Sequence, residues 1–160
     1  MGQIQYGQFS ERMTFFGGGG LGALVNSRWQ LEADYLAIIN RYVKRVIFPE
    51  NYRLKYWNIG LTFRYHVVGR NKVYAFLSAR TAAGRIQWIS TEDSENKFSD
   101  NFLLLTPDVG VGFRLFPFIS IEYAIGYNKA FEIELIGLEH DAIDGFEMNL
   151  KLKIMKNRSR

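Results

Sequence analysis

The sequence predicts an all-β fold: a closed antiparallel transmembrane β-barrel of about eight strands, with short turns at one end and longer loops at the other. Three observations predict it. Apolar and polar residues alternate with period 2 along most of the chain. The connections between the alternating segments are by turns short and long. One face of those segments carries acids and bases in balance, which suits a lumen filled by side chains.

Length and composition agree with this class. A chain of 160 residues suits a single domain, 1–160, with about 156–160 as a basic tail. The 13 Phe, 9 Tyr and 3 Trp bring aromatics to 16%, and such residues fit pleated surfaces. Only 3 Pro, beside 15 Gly and 48% hydrophobic residues, argues against disorder. No apolar run reaches the ~18 residues that mark a membrane-spanning helix. A barrel instead spreads its signal over alternating segments of ~10 residues, so a mean hydropathy of −0.12 is compatible with a membrane location. The absence of Cys decides nothing about compartment. Met1-Gly2-Gln3-Ile4-Gln5 has neither a basic start nor an apolar stretch, so an exported protein is expected to stand here in mature form, its signal peptide removed. The net charge is +4, and Lys156, Arg158 and Arg160 read as a solvated tail, with contact to anionic lipid headgroups or nucleic acid as the sharper readings.

Taken in order, the first strand is short, Gln3 to Phe9, and the second runs from Met13 to Val25. In the third, Trp29, Leu31, Ala33, Tyr35, Ala37 and Ile39 alternate with Gln30, Glu32 and Asp34. The fourth, Trp57 to His66, is the clearest: its odd positions are large and apolar, its even positions polar, small or charged. Val73 to Gly84 is a fifth strand of ambiguous phase. In the sixth, Val109, Val111, Phe113 and Leu115 alternate with Asp108, Gly110, Gly112 and Arg114. The seventh holds one phase from Ile119 through Ile133 to Leu135, interrupted only by Lys129. In the last, Phe146, Met148, Leu150, Leu152 and Ile154 oppose Glu147, Asn149, Lys151 and Lys153. Asn26-Ser27-Arg28, Gly69-Arg70-Asn71-Lys72 and Phe116-Pro117-Phe118 are tight turns. Arg41 to Tyr52, Ser90 to Asp100 and roughly Ile136 to Asp144 are longer, polar loops. That asymmetry matches short periplasmic turns and longer outer loops, with both termini on the short-turn side.

A soluble barrel buries its apolar face, whereas a membrane barrel turns that face to lipid and keeps a polar lumen. The charges decide between them. Glu32, Asp34, Asp108, Glu122 and Glu147 share the polar face with Arg64, Arg80, Arg114, Lys151 and Lys153, Arg80 resting on the ambiguous strand. Charges packed in a narrow lumen must be paired, so Arg64, Arg114 and Lys151 are expected to pair with Glu32, Glu122 and Glu147. Gly60, Gly110, Gly112, Ala124 and Gly126 leave room for the long cations. Trp57, Ile59, Leu61, Phe63, Val111, Phe113, Ile121 and Tyr123 are expected to face lipid. Trp29, Tyr65 and Phe118 near the short turns, and Tyr42, Phe48, Tyr52, Trp88 and Phe102 near the long loops, read as two interfacial aromatic girdles.

The segment from Tyr52 to Met155 resembles the small eight-stranded bacterial outer-membrane β-barrel superfamily, especially the barrels of Bacteroidetes-type envelopes. The resemblance rests on Trp57-Asn58-Ile59-Gly60-Leu61-Thr62-Phe63-Arg64-Tyr65, Val73-Tyr74-Ala75-Phe76-Leu77-Ser78-Ala79, Asp108-Val109-Gly110-Val111-Gly112-Phe113 and Ser120-Ile121-Glu122-Tyr123. It covers about two-thirds of the chain and speaks of architecture. It implies an integral outer-membrane location and a non-enzymatic role: envelope structure, adhesion, or service as an accessory subunit of a cell-envelope complex. Outer-membrane lipid and lipopolysaccharide are then the expected partners, with other envelope proteins in a larger complex and no nucleic acid. Lipid A deacylase barrels are a distant likeness, with a His-x-Ser-Asn motif on the penultimate strand. The matching stretch here is Gly126-Tyr127-Asn128-Lys129, without His or Ser, so that activity is not carried over.

Other chemistry reads weakly. Gly17 to Gly22 matches G-x-G-x-x-G, and Leu31 to Ile47 can be drawn as an amphipathic helix, but no βαβ pattern follows. Close strand packing explains those glycines better. His66 on the polar face reads as a lumen hydrogen-bonder. His140, in Leu138-Glu139-His140-Asp141, reads as part of a solvated loop, although a His beside carboxylates is the pattern of a base or a metal ligand. No catalytic, metal or cofactor site is expected. The alternatives are a lipid A-modifying barrel enzyme and a soluble lipocalin-like binding module.

Overall fold

In a computed structural model, which describes residues 1–9, 12–39, 52–70, 72–90, 92, 97–134 and 143–154, the chain forms eight antiparallel strands. They are β1 (Gly2–Phe9), β2 (Arg12–Leu24), β3 (Trp29–Ile38), β4 (Tyr52–Arg70), β5 (Val73–Ser90), β6 (Lys97–Phe116), β7 (Ile119–Phe131) and β8 (Gly145–Ile154). Each pairs with its sequence neighbours, and β1 closes on β8 from Gly2↔Leu152 to Gly7↔Glu147, so the sheet is a barrel in order β1 to β8. Closure leaves no sheet edge along the paired stretches, so backbone donors and acceptors are satisfied between strands. The Met1 amino group is tied in as well, donating to the Gly20 carbonyl at 2.8 Å.

Period-2 alternation becomes a strict inside–outside alternation. Along β8 every odd residue is buried and every even residue exposed, and β7 alternates as strictly from Glu122 to Phe131, with its even residues buried. Large apolar side chains exposed on the outside far outnumber those buried inside: Leu61, Phe63, Val109, Phe113 and Leu150 are each about half exposed. Meanwhile Glu32, Arg64, Glu122, Lys151 and Lys153 are buried. Water would penalise both halves of that arrangement, and hydrocarbon outside the barrel relieves both. The fold is that of a transmembrane β-barrel.

The G-x-G-x-x-G segment lies in β2, and Leu31 to Ile38 in β3, which leaves no helix for a dinucleotide site. Gly18 and Gly20 sit against the β3 backbone, where a Cβ would collide with the carbonyls of Tyr35 and Ala33. Close strand packing is their physical role.

Strands β4, β5 and β6 are longer than the sequence reading expected, at 19, 18 and 20 residues. Spanning a bilayer needs only ~9–11. The surplus lies at the long-loop end, where the polarity of each face reverses within one strand. On β5 the outward positions are Val73, Leu77, Thr81 and three alanines up to Ala83, followed by Arg85 and Gln87; the inward ones pass from Ser78 and Arg80 to Ala82, Ile86 and Trp88. On β6 the outward residues above Leu103 are Asn101, Ser99 and Lys97. The stretch from 73 to 83 is eleven residues, about 36 Å of strand, or about 25 Å of height at a ~45° tilt, the height of an outward apolar band. Beyond it the outward residues are mostly polar (Lys55, Arg85, Gln87, Ser99 and Lys97, with Ile89 the exception) and the buried inward ones apolar (Tyr56, Ile86, Trp88 and Phe102), as in a soluble sheet. Lys97 to Asp100, expected in a loop, are part of this extension.

On β7 the expected phase also ends early. Glu132 takes a left-handed φ of 67°, which rotates the chain, so Ile133 turns inward and is buried instead of continuing the outer face. Tyr42, Phe48, Leu135, His140 and the basic tail 156–160 lie outside the described residues.

Candidate functional site

The interior is filled in two storeys. Nearer the long loops it is apolar: Phe16, Leu36, Tyr56, Ile86, Trp88, Phe102, Leu104, Ile133 and Ile143 form one buried cluster. The Tyr56 and Phe102 rings stack with centroids 5.2 Å apart, and Phe16 tilts against Tyr56 at the same distance. Trp88 and Phe102, expected in an outer girdle, are both inside, at 1% and 2% exposure. They belong to the stretch where the faces exchange polarity, so an aromatic there is core. The outer aromatics at the short-turn end are placed as expected, with Trp29 stacked on Phe63 at 4.7 Å and packed on Tyr65 at 4.6 Å.

Toward the short turns the filling is ionic. Glu32 on β3 accepts from three cations: Arg64 Nη1 at 3.0 Å, Lys151 Nζ at 3.1 Å, and Lys153. Glu122 on β7 takes Arg64 Nη1 at 2.5 Å and Lys153 Nζ at 2.8 Å, and its other oxygen accepts from the Tyr74 hydroxyl at 2.7 Å. Two carboxylates and three cations from β3, β4, β7 and β8 thus make one network, all of it buried. The Arg64 guanidinium also rests on the Phe76 ring, 4.0 Å from its centroid. Phe76 lies flat against the wall because its cross-strand neighbour is Gly110, where a Cβ would strike the ring.

A second unit sits between the two storeys. Arg80 on β5 donates through Nε to both Asp34 oxygens at 3.0 and 3.1 Å, and through Nη2 to Asp34 at 2.5 Å and to Asn58 Oδ1 at 2.5 Å. The Asn58 amide donates to the Tyr56 hydroxyl at 2.6 Å, which links the pair to the apolar storey. Gly60 makes the space: a Cβ there would stand 2.5 Å from Arg80 Cζ.

The remaining expected lumen charges behave differently. Asp108 is only partly buried and accepts from Ser78 Oγ at 2.5 Å. Glu147 is buried and accepts from the Gln5 amide, with no ion pair among the described residues, so its expected pairing with a cation is corrected. Arg114 is corrected too. It is exposed at the short-turn rim, where the β6–β7 register shifts between Arg114 and Phe116. At a strand end its guanidinium lies outside the lumen, which avoids the cost of burying a charge there. Lys153, absent from the pairings expected from sequence, instead joins both carboxylates; its alternation on the last strand was the signal for it.

Trp57, Ile59, Leu61, Phe63, Val111, Phe113, Ile121 and Tyr123 all lie on the outer surface, Trp57 and Ile121 being only partly exposed. His66 is half-buried near the short turns, hydrogen-bonded through Nε2 to Gln30 Oε1 at 3.1 Å and packed on Tyr74 at 5.3 Å. Among the described residues no group of three or more His, Asp or Glu is arranged to hold a metal. Side chains occupy the lumen through both storeys, and the chemistry they perform there is charge pairing.

No protein-family model matches the sequence, and no curated protein matches it either. Solved structures do resemble the fold. Neisserial surface protein A, NspA, is 15% identical, covering 97% of this chain and 93% of its own, with a TM-score of 0.71. Ail, the attachment invasion locus protein of Yersinia pestis, is 13% identical, covering 96% of this chain and 93% of its own, with a TM-score of 0.51. At such identities the likeness is one of fold, and it extends over nearly the whole barrel.

Proposed function

We propose that this protein is a non-enzymatic integral outer-membrane barrel, a structural or accessory component of a bacterial cell envelope. The observation that carries the reading is the inverted polarity: an apolar belt outside at membrane height, around a buried ionic network. A closed barrel with short turns and longer loops is the outer-membrane form of such an object. The lumen is filled by charge pairs below and aromatic packing above, which favours a scaffold over a conduit. The extended β4–β6 sheet, hydrophilic outside, holds the long-loop end beyond the bilayer. The names of the two similar structures speak of a surface and of attachment, which supports presentation at the cell surface.

The test is a mobility gel on detergent-extracted protein with and without boiling. A folded barrel migrates as a compact, faster band that shifts on heating. A monomer that stays soluble and folded in detergent-free buffer refutes the membrane reading. Incubation with lipopolysaccharide, read by mass spectrometry, tests the enzymatic part. Acyl release that disappears in His66→Ala or His140→Ala protein refutes the non-enzymatic role.

A further inference from the structure

Charge is distributed between the two ends of this barrel with complete segregation of the acids. Of the 16 Asp and Glu, Glu32, Asp34, Asp108, Glu122 and Glu147 belong to the lumen face; Glu11 falls in the two-residue β1–β2 connection at the long-loop end, and every other one lies in or beside a long loop. The three turns at the opposite end, β2–β3, β4–β5 and β6–β7, and the strand ends beside them contain no acid, yet each carries a cation. Arg28 is in the β2–β3 turn, Lys72 in the β4–β5 turn and Arg114 at the end of β6, and all three are exposed. The sequence adds Arg70 to the second turn and a basic tail after β8.

These cations are mounted at a defined height. The Asn26 side chain accepts from the backbone N–H groups of Arg28 and Trp29 at 2.8 and 2.9 Å, which fixes the first turn. Arg28 Nη1 reaches the Tyr65 hydroxyl at 3.2 Å, beside the Trp29–Phe63 stack. The Arg114 N–H donates to the Lys72 carbonyl at 2.7 Å, joining the second turn to the end of β6, next to the stacked Phe116 and Phe118. Cations alternate with aromatic rings, the amphipathic Trp29 and Tyr65 among them, at the edge of the apolar belt, which is the level of lipid headgroups.

We infer that the short-turn rim is a binding ring for anionic phospholipid headgroups in the leaflet it occupies. The arrangement argues for lipid over a protein or polymer partner, because the cations are shared among all the turns around the circumference. A single docked partner needs a patch on one side, whereas an annulus of headgroups meets the whole rim. Each Lys or Arg held near an anionic surface adds attraction that salt screens within a Debye length. The inference rests on the membrane reading proposed above, and its test separates the two.

The full chain carrying Trp57→Phe keeps Trp29 as its outward indole, Trp88 being enclosed in the lumen. It is folded into vesicles of phosphatidylcholine doped with brominated phosphatidylcholine or brominated phosphatidylglycerol, and quenching of Trp29 is compared. The expected result is a severalfold preference for phosphatidylglycerol that falls toward unity at 1 M NaCl. The same fall is expected at low salt in the Arg28→Gln/Lys72→Gln/Arg114→Gln variant; if that variant does not fold, the salt series on the parent decides. The complementary Trp29→Phe protein, reporting from Trp57, shows no such preference. Equal quenching by both lipids, or an equal preference at Trp57, overturns the ring and leaves the membrane reading standing. Quenching by neither lipid removes the membrane reading, and the ring with it.

Discussion

Replacing Glu32 by Gln removes one carboxylate from the centre of the buried network while keeping its shape. Glu32 is fully buried and faces Arg64 at 3.0 Å, Lys151 at 3.1 Å and Lys153. Each such contact attracts by about 5 kcal/mol at an effective dielectric constant of ~20, set against the cost of holding the charges away from water. Arg64 and Lys153 still have Glu122 after the substitution. Lys151 does not, since Glu32 is its only ion-pair partner among the described residues. The loss is therefore that of stranding one buried cation, about 3–5 kcal/mol. Urea unfolding in lipid vesicles, followed by tryptophan emission, measures it as a lower midpoint at unchanged slope. Adding Lys151→Met to Glu32→Gln removes the stranded charge, and should restore at least half of the loss. A single-variant loss below about 1 kcal/mol, well short of a broken buried pair, refutes the network as described. So does a double variant no more stable than the single.

Three further outcomes follow from the geometry. Leu61→Arg, in the outward belt, should cost about 2–4 kcal/mol in bilayers, whereas Gln87→Arg, on the hydrophilic extension of β5, should stay within about 0.5 kcal/mol; equal effects in the same urea assay would remove the polarity reversal. Gly60→Ala drives a Cβ to 2.5 Å from Arg80 Cζ, and should cost about 1–3 kcal/mol by overpacking, read as a lower temperature for loss of the compact gel band. Phe102→Ala empties part of the apolar storey and should cost about 3–5 kcal/mol; a loss below about 0.5 kcal/mol, typical of an exposed site, would mean that the ring stands outside after all.

Much of the barrel was legible because a strand has only two faces and the chain alternates between them. The odd–even pattern of Trp57 to His66, or of Phe146 to Ile154, follows from strand geometry alone, and so the outward placement of Leu61 and Phe63 could be read without coordinates. Alternation was readable only where the two faces differ in polarity. On β5 the outward alanines dilute the contrast and left the phase of Arg80 open. Above them the faces exchange polarity, which hid Trp88 and Phe102 among the apparent girdle residues. The φ of Glu132 sends Ile133 inward against its parity. Pairing in the lumen needed the closed structure, because the partners are remote in sequence: Lys151 meets Glu32 across 119 residues. Which cation meets which carboxylate depends on register, on the height of each side chain in the lumen and on the space left by glycines such as Gly60. The sequence by itself determined that the barrel has a charged face and an apolar one, since covalent geometry forces alternate residues apart. Only the tertiary structure decided that Arg114 stays exposed at the rim while Lys153 enters the network, because the cost of burying a charge is set by what surrounds it in space.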